Sequence, residues 1–202
     1  MISVLTACTD DAPTKSTSSP SPVGSPDLLP LAIGNTWRFD SQLYDDNGTA
    51  IDGAIDSIYV AKQTTWLGTD WYEVVVTRSL DGPGAESWRF WWSNADDGVY
   101  DTYEWEADPP SLLFKFPAPA GDSYYSGYDD RTIAVAVVAA DSLISVAGER
   151  YRAWMYELST RVRWTFAPGT GPVRIEILEL VPPTYTERVR VRSVLLNSST
   201  TN

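Results

Sequence analysis

Turn signals recur along this chain about every 8–12 residues, and nothing between them has the period of a helix. "DDNG" (Asp45–Gly48), "LGTD" (Leu67–Asp70), "DGPG" (Asp81–Gly84), "NADDG" (Asn94–Gly98) and Asp108-Pro109-Pro110 all carry the residues that supply tight-turn dihedrals. The stretches between them are β-branched and aromatic: Arg38–Tyr44, Ile55–Lys62, Trp71–Arg78, Trp88–Ser93 and Val99–Trp105. This punctuation predicts an all-β fold of about ten to twelve antiparallel strands, either a two-sheet sandwich or a strongly curved open barrel.

The second half resembles the first. "PLAIGNTW" (Pro30–Trp37) matches "PAPAGDSY" (Pro117–Tyr124), and "GTDWYEVVV" (Gly68–Val76) lies over "GERYRAWMYEL" (Gly148–Leu158). "RFWWSNADDGVY" (Arg89–Tyr100) lies over "RWTFAPGTGPVR" (Arg163–Arg174). Two similar halves, about 28–108 and 112–197, are therefore expected within one domain spanning 28–202, because one half has too few strands to close a core. The last hairpin runs from "VRIEILEL" (Val173–Leu180) into "YTERVRVRSVLL" (Tyr185–Leu196). Alternation puts Arg188, Arg190 and Arg192 on one face, where Glu176 and Glu179 can pair with them, a solvated face of surface ion pairs.

Residues 1–27 differ in kind. Thr9–Pro26 is Ser, Thr, Pro and Asp with almost nothing to bury, the composition of a tether. It follows Leu5-Thr6-Ala7-Cys8, and Cys8 is the only cysteine, so no intramolecular disulfide forms. Seven residues, none basic, precede Cys8, fewer than a full signal peptide uses.

Charge and composition narrow the function. The formal net charge is −12, with 27 acidic against 15 basic residues, which opposes binding to phosphate backbones and excludes nucleic acid as a partner. Anionic lipid would equally be avoided without a covalent anchor. There is no His, so the usual general base and the commonest transition-metal ligand are both missing. With one Cys and no His the sequence lacks a zinc ligand set, the Asp-rich turns lack calcium-loop spacing, and no cofactor signature is present. Glu104 and Glu106 share one face of "YEWEAD" as a glycosidase pair would, but among so many acids some pair always fits. A Ser–Lys dyad would have to use Lys62 or Lys115, and neither sits in a signature. The expectation is a protein that is not an enzyme.

The Leu-Thr-Ala-Cys stretch is similar to a lipobox, and "LPLAIGNTWRF" with "WTFAPGTGPVRIE" resembles bacterial secreted lipoproteins of unassigned function. Those domains begin with Pro-x-x-x-Gly-Asn-x-Trp and end with an aromatic-Ala-Pro-Gly-x-Gly hairpin. The resemblance implies lipidation of Cys8, a membrane partner through that anchor, and a location in the bacterial cell envelope or at the cell surface. It transfers no catalytic residue.

The aromatics remain, with nine Trp and eleven Tyr. In "SWRFWWS", alternation puts Trp88, Phe90 and Trp92 on one face and Arg89, Trp91 and Ser93 on the other. The matching second-half register puts Val162, Trp164 and Phe166 on the first face and Arg163, Thr165 and Ala167 on the second. The first face reads as core, which leaves Trp91, with Trp66 and Trp105, as the ligand-binding candidates. The expected role is binding or structural, with three alternatives. A carbohydrate-binding module would line up Trp91 with Trp66 or Trp105 in solvent. A carrier of an apolar ligand would enclose a void lined by Trp, Val and Leu. A subunit of a surface assembly would offer an unpaired edge strand to a protein partner.

Overall fold

The computed structural model describes residues 27–78, 86–102, 109–127, 132–181 and 186–200. Among them lie twelve strands: β1 (Thr36–Tyr44), β2 (Ala50–Trp66), β3 (Thr69–Arg78), β4 (Glu86–Ala95), β5 (Gly98–Thr102), β6 (Ser111–Lys115), β7 (Ser123–Ser126), β8 (Ile133–Val146), β9 (Glu149–Leu158), β10 (Val162–Ala167), β11 (Gly171–Val181) and β12 (Thr186–Ser199). All belong to one antiparallel sheet, ordered β6-β5-β4-β3-β2-β1-β12-β11-β10-β9-β8-β7. Of the two expected architectures, the curved open barrel is the one that forms. The segments matched above fall on β1 and β7, on β3 and β9, and on β4–β5 and β10–β11, each pair six places apart in chain order.

The sheet curls until β4 and β10, third and ninth in its order, meet across the interior. Trp92 on β4 sits edge-on to Trp164 on β10, with ring centroids 6.1 Å apart. Trp164 stacks on Phe166 at 5.7 Å, and Phe114 of β6 touches Trp92, Trp164, Phe166 and Tyr156 of β9. Eight strands already give an interior that side chains just fill, so twelve need rings of this size and a flattened section.

Strand direction alternates, so the chain has two distinct ends. The turns at 67–68, 96–97, 147–148 and 168–170 share one end with residues 27–35. This end is plugged. Leu28 and Leu29 are fully buried, Asn94 Nδ2 donates to Leu29 C=O (2.8 Å), and Gly169 N–H donates to Asp27 C=O (2.8 Å). Trp37 joins the plug to the β10–β11 turn, its Nε1 donating to Thr170 C=O at 2.5 Å. Gly171 is required there. Its φ is +96°, and a Cβ would stand 2.7 Å from Trp37 Nε1.

The outer face is charged. Arg163 bridges Glu157 on β9 and Glu176 on β11, and Arg192 Nε donates to Glu176 at 2.8 Å. Arg188 pairs with Glu179 (3.0 Å) and with Asp46. The two glutamates are three residues apart on β11 while their arginines are four apart on β12. The register shift at Ile177/Leu178 absorbs the extra residue. A lipid-facing barrel wall would be apolar, so this pattern suits a barrel surrounded by water.

Candidate ligand cleft at the barrel mouth

The core does not reach the second end of the barrel. There the inward positions of β1, β2, β3 and β4 face those of β10, β11 and β12 across a cleft of about 150 Å³. Its walls are Phe39, Ile58, Val76 and Trp88 on one side and Val162, Trp164, Ile175 and Ile177 on the other. Asp56, Ser57, Arg78 and Ser193 supply its polar atoms. Ser193 is already bonded, its Oγ accepting from Ser41 Oγ at 2.7 Å. The packing changes along one strand. On β4, Trp92 is buried, Phe90 is half-buried, and Trp88 is 41% exposed. Directly across, where the second half carries Trp164 and Phe166 deeper in, the rim position is the small Val162. A large ring on one wall opposite a small side chain on the other leaves the space.

This corrects the reading of "SWRFWWS". The facing was right, but Trp88 is a rim residue and not core, because it lies among the first residues of β4, next after Glu86 on the inward face at the mouth. The signal that could have found it is that position, near the start of its strand and matched by a valine in the second-half register.

Trp91 and Trp66 lie on the outer face, and both are half-buried. Trp91 stands opposite Glu73 of β3, and Lys62 Nζ lies over its ring at 5.0 Å. Glu73 is itself buried, held by Arg89 Nη1 at 2.8 Å and Lys62 Nζ at 3.8 Å. Trp66 packs edge-on against the buried Trp71 at 6.1 Å. These two tryptophans cover charged and aromatic neighbours on their own sheet. Trp105, Glu104, Glu106 and Cys8 lie outside the described residues.

The edge strands meet at a seam without a ladder between them. Tyrosines substitute for it. Tyr124 Oη on β7 donates to Leu113 C=O (3.0 Å) and accepts from Lys115 N–H (2.8 Å). Tyr156 Oη donates to Lys115 C=O (2.6 Å). Three backbone groups on the free edge of β6 are thereby satisfied without a further strand. Burial pushes the Tyr124 hydroxyl up to about 12 and raises that of Tyr156 as well, with the nearby Asp122 adding to the first.

The sequence matches no protein-family model and no curated protein. Among solved structures the chain is similar to a candidate exported protein with a YmcC-like fold from Bacteroides fragilis. The TM-score is 0.50 and the identity 10%, over 87% of this chain and 100% of that one. It also matches a candidate lipoprotein from Parabacteroides distasonis with a TM-score of 0.42 and 11% identity, over 87% and 99% of the two chains. The first likeness is one of fold: this chain has the all-β, YmcC-like architecture.

Proposed function

We propose that this is a non-catalytic, lipid-anchored protein of the bacterial cell envelope that holds a small apolar ligand in its barrel mouth. The cleft carries this reading. It is concave, it is walled by Phe39, Ile58, Val76, Trp88, Val162, Trp164, Ile175 and Ile177, and it holds few polar atoms, as small-molecule sites do. Its volume suits one aromatic ring or a short branched chain, since a cavity of about 150 Å³ lined by apolar side chains accepts benzene. The covering of Trp91 by Lys62 and the tyrosine-capped edge of β6 weigh against a sugar platform and against strand addition.

Anchoring rests on Leu5-Thr6-Ala7-Cys8. The described chain enters at the plugged end through Asp27–Leu31, so a tether from Cys8 would join the barrel at the end opposite the mouth. Calorimetric titration with toluene tests the ligand reading. Binding at millimolar to submillimolar Kd, the range open to so small a ligand, abolished by Val162→Trp in a protein of unchanged fold, is the expected result. No binding to wild type overturns it. For the anchor, Cys8→Ser should move the protein from the membrane fraction to the soluble fraction of a bacterial host. An unchanged distribution would refute lipidation.

A further inference from the structure

The cleft contains a donor without an acceptor. Arg78 is the last residue of β3, it lines the mouth, and its Nε is buried with no hydrogen-bond partner. Arg89, Arg152, Arg163, Arg188 and Arg192 each meet a carboxylate, and the other unpartnered guanidinium nitrogens, on Arg174 and Arg188, lie outside the cleft. A buried guanidinium N–H left unpaired costs stability, and an incoming acceptor recovers that cost on binding. Nε and a terminal nitrogen of Arg form a planar fork that matches two oxygens of a carboxylate. The apolar walls around it lower the local dielectric and strengthen such a contact.

We infer that the cleft selects small apolar molecules ending in a carboxylate, with Arg78 reading the anionic group and Trp88 and Trp164 holding the apolar body. This rests on the reading of the cleft as a ligand site. The net charge of −12 does not forbid it, because charges beyond about 8 Å are screened at physiological ionic strength. Asp56, the other ionisable group lining the cleft, is buried and has an interaction of its own. Glu86 stands opposite Arg78 on β4, but it is exposed, whereas Arg78 Nε is buried.

The test is a set of calorimetric titrations of the full chain with phenylacetate, benzyl alcohol, benzylamine and toluene. Phenylacetate should bind about tenfold tighter than benzyl alcohol, the gain of a charge-assisted over a neutral hydrogen bond. Arg78→Gln should remove that advantage. The comparison of phenylacetate with benzyl alcohol on wild type stands even where the variant fails to fold. Toluene and benzyl alcohol binding as well as phenylacetate, or benzylamine binding best, would overturn the carboxylate assignment while leaving the cleft reading intact. Failure of all four probes would overturn the cleft reading itself, and this assignment with it.

Discussion

Replacing Tyr124 with Phe removes one oxygen and two hydrogen bonds from the seam. The lost partners are both backbone groups of β6, the Leu113 C=O at 3.0 Å and the Lys115 N–H at 2.8 Å. A buried backbone group left unsatisfied costs about 1–3 kcal/mol. Tyr124 is only half-buried, so water recovers part of that for one of the two groups, and a net loss of about 2–3 kcal/mol is expected. For a domain of this size each kcal/mol lowers the melting temperature by about 2–4 °C, so the midpoint should fall by about 5–10 °C. Calorimetry gives the midpoint, and amide hydrogen exchange at Lys115 reports the seam locally. A midpoint within about 2 °C of wild type, with Lys115 exchange unaltered, would refute the idea that tyrosine hydroxyls stand in for a ladder.

The same hydroxyl predicts an alkaline limit. Tyr124 titrates higher in the folded protein, at about 12, than in the unfolded chain, at 10.0. Between those values the folded state holds more protons, so stability is retained below pH 10 and lost as pH rises toward 12. Denaturation midpoints measured across that window should fall more steeply for wild type than for Tyr124→Phe. Gly171→Ala should cost about 2–4 kcal/mol, since φ is +96° and the new methyl meets the Trp37 ring, and thermal melts should show it. Trp91→Ala removes the Lys62 contact and should cost about 1–2 kcal/mol without changing toluene affinity, since Trp91 lies outside the cleft.

Facing was legible because a strand has period two: Phe90, Trp92, Trp164 and Phe166 point inward as their alternation requires. So was the pairing of Glu176 and Glu179 with arginines, although the bulge that reconciles their spacings was not. Depth along the barrel was not legible, because alternation says which face a residue takes and nothing of how near it lies to an open end. That is why Trp88 read as core. The seam was hidden for a related reason. Tyr124 and Leu113 come together only when β6 and β7 are brought edge to edge. Pro30–Trp37 and Phe166–Gly171 were visible as separate motifs, yet they form one clasp, with Trp37 donating to Thr170 against Gly171. A tryptophan that needs a carbonyl and a Cβ-free neighbour explains why both motifs stand in one chain.

The central claim, that the mouth is the ligand site, is tested most directly by methyl and indole NMR shifts during a toluene titration. The account predicts saturable shifts at Ile58, Val76, Val162, Ile175 and Ile177 and at the Trp88 and Trp164 indoles, with Trp66 and Trp91 unmoved. Shifts confined to Trp66 and Trp91, or none at the mouth at saturating toluene, would contradict it.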